Sequence, residues 1–238
     1  MKKIVNWAHR GASGHAPENT RAAFEKGLTM GADGIECDLQ ESRDGVLVVF
    51  HDPTIQRLTG KEGRVEALPL SELSRLDIGS WFSPSFAGEK IVTADALVSM
   101  IPPPFLLNLE IKRAAPRRII DLIEKRGISD RTIVSSFNHP LLKEIRHLHS
   151  TLSLGYLVDR EPWEEVFREA AALRAVSLHL SARRVTTKVI ERAHQEGFDL
   201  YVYTVNEPAR MRSLIERGVD GLFTNYPDRL VEVISQKS

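Results

Sequence analysis

Residues 34–39 read Gly-Ile-Glu-Cys-Asp-Leu. This short alternation of apolar and acidic residues predicts a β-strand, because successive side chains of a strand point to opposite faces. Glu36 and Asp38 then share one face, and the apolar residues between them share the other. A helical segment precedes the strand, with Asn19 or Thr20 as its N-cap. The stretch therefore predicts a helix-to-strand unit whose strand directs two carboxylates to the same side.

Short β-branched runs alternate with helical segments along nearly all of the 238 residues. Strands separated by helices in this way are typical of a parallel sheet. The predicted strands are residues 4–8, 34–39, 105–111, 132–137, 153–158, 175–180, 200–205 and 221–224. Eight strands, each followed by a helix, in a chain near the ~250 residues typical of the architecture, predict an α/β fold of the (β/α)8 TIM-barrel type. A doubly wound sheet is the alternative with less support.

Two segments after the second strand depart from this repeat. The apolar run at residues 46–50 follows a turn signal, so it is either a hairpin partner of the second strand or an extension of it. Residues 53–92 contain no strand-helix unit, and loops of that length are usually functional or carry small elements of their own. We therefore expect one barrel domain over residues 1–238, with an inserted lobe at residues 53–92 that covers one barrel end.

The bulk properties of the chain exclude several classes of protein. Thirty-two basic residues balance 32 acidic ones, so no overall field draws the chain to nucleic acid or to an anionic membrane. Polar residues interrupt the start too early for a secretory signal, and no stretch approaches the roughly 20 apolar residues of a spanning helix. The single Cys37 excludes an internal disulfide. We expect a cytoplasmic protein without stable membrane association; the oligomeric state stays open.

Three acidic residues fall where a barrel places its active site, at the carboxyl-terminal ends of the strands. Glu36 and Asp38 end the second predicted strand, and Glu110 ends the third. Carboxylates this close repel one another unless a cation is bound, and hard oxygen ligands suit Ca²⁺ or Mg²⁺. We therefore predict one divalent cation, Mg²⁺ or Ca²⁺, at these three residues. The alternative is that the acids only form ion pairs with Lys112, Arg10 or Arg43.

Histidine and basic residues accompany the acids at the same end. His9 and His51 are the candidate acid and base, because imidazole titrates near neutral pH. Arg10 and Lys112 supply the fixed positive charge that an anionic phosphate needs. His179 either lines the pocket or packs in the core. The sequence has no phosphate-binding Gly-x-x-x-x-Gly-Lys loop and no Gly-x-Ser-x-Gly elbow, so the set favours metal-assisted acid–base cleavage of a phosphate ester.

Longer motifs around these residues resemble a known family. Residues 9–20 read His-Arg-Gly-Ala-Ser-Gly-His-Ala-Pro-Glu-Asn-Thr, residues 34–38 read Gly-Ile-Glu-Cys-Asp, and residues 51–52 read His-Asp. In this order they closely resemble the glycerophosphodiester phosphodiesterase family, in its bacterial-type, cytosolic form. The resemblance continues through residues 108–112, 135–138, 203–206 and 220–227. It therefore covers nearly the whole chain.

The resemblance implies a TIM barrel that hydrolyses glycerophosphodiesters, such as glycerophosphocholine and glycerophosphoethanolamine, to glycerol 3-phosphate and an alcohol. It implies that the cation is held by Glu36, Asp38 and Glu110, that His9 and His51 act as acid and base, and that Arg10 and Lys112 lie near the phosphate. Related phospholipases suggest that a glycerol hydroxyl attacks phosphorus first and gives a cyclic phosphate. The residues alone leave open whether that hydroxyl or water is the first nucleophile.

Two aromatic residues are expected to form a wall of the substrate site. The family often has tryptophan where this chain has Tyr203, and this aromatic side chain is expected to pack against the substrate glycerol. Tyrosine keeps an apolar face and adds a hydroxyl, so we expect activity with altered affinity or altered alcohol preference. Phe137 is either a second part of the wall or a core residue.

Two other functions compete with this interpretation. A related barrel phosphodiesterase could act on a lysophospholipid or a phosphoinositide head group with the same catalytic residues. A binding protein could keep the barrel without turnover. The complete set of histidine, acidic and basic residues at one barrel mouth disfavours the binding protein. The absence of a basic amphipathic stretch favours a deacylated substrate over a membrane lipid.

Overall fold

Eight parallel strands close into a barrel in the computed structural model, which describes residues 3–236. The described residues form nine strands, of which all but β3 belong to the barrel: β1 Val5–His9, β2 Gly34–Glu41, β3 Leu47–Val49, β4 Leu106–Arg113, β5 Thr132–Ser136, β6 Ser153–Val158, β7 Ser177–Ser181, β8 Asp199–Tyr203 and β9 Gly221–Thr224. The order of hydrogen-bonded neighbours is β1-β9-β8-β7-β6-β5-β4-β2, and β1 also pairs with β2. The predicted TIM barrel is confirmed.

Helices separate the barrel strands as the sequence predicts. Within residues 3–236 they are α1 Arg21–Thr29, α2 Gln56–Thr59, α3 Leu70–Leu73, α4 Ala94–Met100, α5 Pro116–Arg126, α6 His139–Leu148, α7 Trp163–Ala172, α8 Thr187–Gln195, α9 Pro208–Glu216 and α10 Pro227–Ser235. Of the two candidate N-caps of α1, the hydroxyl of Thr20 accepts a hydrogen bond from the backbone N–H of Ala23 at 3.2 Å. None of these helices is long and apolar enough to cross a membrane.

Side chains of alternate strand residues fill the lower part of the barrel interior. The rings of Trp7 and Phe223 stack with centroids 5.8 Å apart, and Tyr201 meets Trp7 edge-on at 5.9 Å. A Cβ atom at Gly34 would lie 2.5 Å from the Trp7 ring, so the indole fits only because this residue is glycine. The aromatic cluster closes the barrel below the polar side chains of the mouth.

The opposite face of each strand packs against the helices. On β2 the side chains of Ile35, Cys37 and Leu39 are fully buried in the main hydrophobic core. Burial raises the pKa of the Cys37 thiol well above its ordinary value, so the group stays protonated and acts as a small apolar residue. The period-two pattern of residues 34–39 thus separates an apolar outer face from an acidic inner face.

The insertion after β2 has its own small core. β3 pairs antiparallel with β2, with Leu39 opposite Val49, so the run at residues 46–50 is a hairpin partner and not an extension. The following segment contains α2, α3 and two turns of 3₁₀ helix, Val65–Ala67 and Pro84–Phe86. Its apolar side chains form a separate buried cluster with Val48 and Phe50.

Candidate active site

Strand register brings the predicted acidic residues to one level of the barrel. His9 on β1 is paired with Glu36 on β2, and Asp38 on β2 is paired with Glu110 on β4. Side chains two residues apart on a strand share a face, so Glu36 and Asp38 both point into the mouth. One oxygen from each of the three carboxylates lies within 4.8 Å of the others. The group predicted as metal ligands is therefore assembled in space.

The electrostatics of the three carboxylates show how tightly they are confined. Burial, Asp38 and Glu110 raise the pKa of Glu36 well above its ordinary value. Burial and Asp38 likewise raise the pKa of Glu110. Burial also opposes ionisation of Asp38, but the charges of Lys112 and Arg10 outweigh it and lower its pKa to about 2. At neutral pH the cluster thus holds more negative charge than burial favours, and a cation would relieve this.

A divalent cation fits this donor set. Oε1 of Glu36 is buried and has no hydrogen-bond partner among the described residues, and Oδ1 of Asp38 is buried with the Lys112 ammonium 3.2 Å away. Buried acceptors without partners are costly, whereas Mg²⁺ and Ca²⁺ bind such oxygens directly. Glu36, Asp38 and Glu110 are therefore the residues that would hold the ion.

The predicted basic residues lie beside the acids. Lys112 Nζ contacts Glu110 and lies 3.2 Å from Asp38 Oδ1. Arg10 Nε lies 3.2 Å from Asp38 Oδ2, and its Nη1 donates a hydrogen bond to Glu18 at 2.9 Å. The ion pairs with Arg10 and Lys112 that the sequence raised as an alternative are thus present, yet they leave Oε1 of Glu36 without a partner among the described residues.

The loop after β1 supplies hydrogen bonds to the same carboxylates. Arg10 and Asn19 adopt left-handed backbone conformations, with φ of 56° and 58°. The backbone N–H of Arg10 donates to Glu36 Oε2 at 2.8 Å, and Asn19 Nδ2 donates to Asp38 Oδ2 at 2.8 Å. A left-handed residue costs roughly 1–2 kcal/mol, and a hydrogen bond to a charged group contributes about 1.5–3 kcal/mol. The two hydrogen bonds thus offset the conformational cost of the left-handed residues, and they orient both carboxylates.

Both candidate acid–base histidines are held through Nδ1. His9 Nδ1 lies 2.8 Å from Asn225 Oδ1, and His51 Nδ1 lies 2.6 Å from Asp52 Oδ1. With Nδ1 donating to these oxygens, Nε2 of each ring is the nitrogen available to a substrate. Burial and the charge of Arg10 lower the pKa of His9 to about 4. Burial also lowers the pKa of His51, although Asp38 and Asp52 oppose it.

The two predicted aromatic residues meet at the mouth. The rings of Phe137 and Tyr203 are edge-on, with centroids 6.2 Å apart, and Lys112 Nζ lies 6.0 Å from the Phe137 centroid. Phe137 is 42% exposed, which favours a wall over a core position. The hydroxyl of Tyr203 donates to the backbone oxygen of Val158 at 3.0 Å and fixes the ring.

His179 lies deeper, in the barrel interior. It is fully buried and packs close to Gly155, where a Cβ atom would lie 2.6 Å from its ring. Nε2 lies 2.9 Å from the hydroxyl of Ser177, and Nδ1 has no hydrogen-bond partner among the described residues. Burial lowers its pKa to about 3. The ring is therefore neutral, and it forms part of the floor of the cavity.

Replacing His179 with glutamine is expected to reduce the loss of stability in acid. Between about pH 6.5 and pH 3 the unfolded chain binds a proton at this residue and the folded chain does not, so the free energy of unfolding falls as pH falls. At pH 5 the contribution lost is about 2 kcal/mol, and above pH 6.5 it is fully present. Urea unfolding at about pH 7.5 and pH 5 measures the change in each protein. An equal change in wild type and His179→Gln would contradict the assignment.

A cavity of about 160 Å³ joins these side chains. Eight of the nine predicted site residues line it, namely His9, Arg10, Glu36, His51, Glu110, Lys112, Phe137 and Tyr203. Asp38 lies behind them and is fully buried. Within the described residues, no side chain of the segment 53–92 lines this cavity. The lobe thus stands beside the cavity, although the sequence suggested a cover.

Several residues that support the site had no predicted role in it from the sequence. Asn225 bonds to His9, Asn19 bonds to Asp38, and Glu18 bonds to Arg10. Glu18 and Asn19 belong to the motif at residues 9–20, and Asn225 belongs to the motif at residues 220–227. Their position inside these motifs was the available signal. A polar motif residue that is not itself a candidate ligand or acid is a candidate support for one.

A cavity that collects acidic, basic and imidazole groups at the carboxyl-terminal end of the strands identifies the chain as a TIM-barrel enzyme. Comparison with known proteins supplies the family. Residues 9–229 match the model of the glycerophosphoryl diester phosphodiesterase family. The chain therefore belongs to this family, as its motifs suggested.

Individual relatives agree with this membership over their full lengths. A glycerophosphodiester phosphodiesterase of Caldanaerobacter subterraneus subsp. tengcongensis is 37% identical, with 98% of each chain covered. The structure of an Oleispira antarctica phosphodiesterase in complex with the product sn-glycerol-3-phosphate superposes with a TM-score of 0.91 at 29% identity, covering 98% of this chain and 97% of that one. The Thermotoga maritima glycerophosphodiester phosphodiesterase gives 0.81 at 28% identity, covering 98% and 100%.

Proposed function

We propose that the chain hydrolyses small glycerophosphodiesters, such as glycerophosphocholine and glycerophosphoethanolamine, to glycerol 3-phosphate and an alcohol. The observation that carries the proposal is the cluster of Glu36, Asp38 and Glu110 within 4.8 Å beside two histidines. Family membership and the product bound to the Oleispira antarctica relative support the substrate class. A cytoplasmic location and a small-molecule partner are part of the proposal.

The mechanism divides the work among residues of the mouth. A divalent cation at the three carboxylates would supply Lewis-acid stabilisation of the phosphate oxygens. Arg10 and Lys112 add positive charge where the phosphate charge increases. His9, neutral at pH 7 because its pKa is lowered to about 4, accepts the proton of the attacking hydroxyl or water. His51, protonated at both ring nitrogens, gives its Nε2 proton to the leaving alcohol oxygen, and the carboxylate of Asp52 at Nδ1 stabilises this imidazolium form.

The dimensions of the cavity favour a deacylated substrate. Its volume of about 160 Å³ is below the ~300–1,000 Å³ of pockets that enclose drug-sized ligands. A glycerol phosphate group is compact and polar, which matches the charged lining. The small cavity supports a deacylated substrate over a lysophospholipid.

Release of the head-group alcohol tests the function directly, with glycerol 3-phosphate as the second product from glycerophosphodiesters and lysophosphatidic acid as the second product from the lipid. Metal-stripped protein is incubated with glycerophosphocholine, glycerophosphoethanolamine or lysophosphatidylcholine, with Ca²⁺ or Mg²⁺ restored. We expect turnover of the first two substrates that depends on the added metal. Hydrolysis of only the lipid would move the assignment to the related phosphodiesterases. Folded protein without any turnover would favour a binding protein.

Truncation of Tyr203 is expected to weaken substrate binding more than catalysis. Tyr203→Ala removes one side of the wall, and losing about 1.5 kcal/mol of contact raises KM roughly tenfold. Tyr203→Phe removes only the hydrogen bond to Val158, so we expect KM within about threefold of wild type. Steady-state kinetics with glycerophosphocholine and glycerophosphoethanolamine measure both variants. A fall in kcat at constant KM would argue against a wall.

A further inference from the structure

Arg57, on α2 of the inserted segment, binds two carboxylates at the edge of the barrel mouth. Its Nε donates a hydrogen bond to Asp52 Oδ2 at 2.5 Å. Its Nη1 and Nη2 donate to the two oxygens of Glu18, at 3.1 and 2.7 Å. One planar guanidinium thus joins the loop after β1 to the segment after β3. The directed hydrogen bonds of the guanidinium orient both carboxylates, and its positive charge stabilises their ionised forms.

Each of these carboxylates also holds a residue of the cavity. Glu18 Oε1 accepts from Arg10 Nη1 at 2.9 Å. Asp52 Oδ1 lies 2.6 Å from His51 Nδ1. Arg10 and His51 line the cavity, whereas Arg57 does not. The contacts therefore run in one chain from Arg10 to His51, and Arg57 is its central link.

The two carboxylates that Arg57 binds are largely buried, so they depend on its hydrogen bonds. The side chains of Glu18 and Asp52 are 11% and 20% exposed. Burial raises the pKa of each, but the hydrogen bonds from Arg57 help to outweigh this effect, and both pKa values are lowered. Arg57 itself is 43% exposed, so its ion pairs contribute little to global stability. Its main effect is therefore to orient the carboxylates of Glu18 and Asp52.

We propose that Arg57 is a positioning residue that holds Asp52 against His51 and Glu18 against Arg10, so that the lobe takes part in catalysis without lining the cavity. The inference rests on the proposed function, because it assigns a support to the proposed acid and to a proposed phosphate ligand. Asp52 held in this way accepts a hydrogen bond from Nδ1–H of His51 and leaves Nε2 directed to the substrate. Glu18 held in this way keeps the Arg10 side chain extended over the carboxylate cluster.

Kinetics of three lobe variants test the proposal. We expect Arg57→Ala to lower kcat about 10- to 100-fold, the range for residues that orient catalytic groups, with KM within about threefold of wild type. Arg57→Lys should recover only part of the loss, because a single ammonium does not reproduce three directed hydrogen bonds. Arg64→Ala is the matched control: it removes a lobe arginine that pairs with Glu66 away from the cavity, and kcat should stay near wild type.

A spectroscopic measurement separates positioning from a merely structural role. In ¹⁵N-histidine-labelled protein, two-bond ¹⁵N–¹H correlations report which ring nitrogen of His51 carries the proton. We expect the Nδ1–H tautomer in wild type and in Arg64→Ala, and a mixture of tautomers in Arg57→Ala. This readout needs neither substrate nor turnover.

Different results would overturn the positioning role of Arg57 and the proposed function. An unchanged kcat in Arg57→Ala, or a loss of kcat with His51 still in the Nδ1–H form and a matching fall in Tm, overturns the positioning role. Wild-type protein without turnover of glycerophosphodiesters overturns the proposed function instead. In that case the tautomer still decides whether Arg57 orients His51.

Discussion

Glu36→Gln is expected to lower metal-dependent release of glycerol 3-phosphate about a thousandfold or more. The amide keeps the size of the side chain but removes the charge from the carboxylate cluster, and Lewis-acid stabilisation is worth several kcal/mol in the transition state. Glu25→Gln, the same change on the exposed surface of α1, should leave kcat unchanged. Activity above about a tenth of wild type in Glu36→Gln would contradict a metal site at this cluster.

Thermal unfolding tests metal binding by Glu36 without measuring turnover. A cation that binds the folded state at a hundred times its Kd stabilises wild type by about 2.7 kcal/mol. We expect Ca²⁺ or Mg²⁺ to raise the Tm of wild type and to leave that of Glu36→Gln unchanged. In metal-free protein at pH 7 the variant should be at least as stable as wild type, because a carboxyl whose pKa is raised by burial opposes folding when ionised. An equal metal response in both proteins would exclude Glu36 as a ligand.

Removing either candidate acid–base histidine is expected to produce the second large effect. His9→Ala and His51→Ala should each lower kcat about 10²- to 10⁴-fold, the contribution of a positioned general acid or base. The double variant should lose much less than the product of the two, since the residues act in one reaction step. His147→Ala, on the exposed face of α6, is the control and should keep wild-type kcat. Near-normal turnover in His9→Ala would remove that ring from the mechanism.

The barrel and the acidic cluster could be predicted because they depend on local regularities. The period of two in residues 34–39 places Glu36 and Asp38 on one face whatever the rest of the chain does. The regular return of strands and helices then fixes which end of each strand carries the site. Glu110 followed from the same rule one strand later. Local sequence patterns were therefore sufficient to predict that the three candidate ligands lie close together.

The supporting contacts could not be predicted, because they join distant loops. Asn225 meets His9 across 216 positions of the chain, and Arg57 meets Glu18 across 39. No periodicity links such residues, since loop conformation depends on tertiary packing. The position of the inserted lobe could not be predicted for the same reason. Its length suggested that it covers the barrel end, but none of its described residues lines the cavity. It contacts the site through the hydrogen bond from Arg57 to Asp52.

The hydrogen bond between His9 and Asn225 ties the first strand of the barrel to the end of the last. During synthesis the first seven strands emerge without the residue that orients this imidazole, and the amino-terminal strand keeps one edge unpaired until β9 arrives. A nascent or truncated chain thus carries both histidines and all three carboxylates but lacks the group that holds His9. With the proposed role of His9, full activity requires Asn225 after β9, so enzymatic activity would report that the barrel has closed.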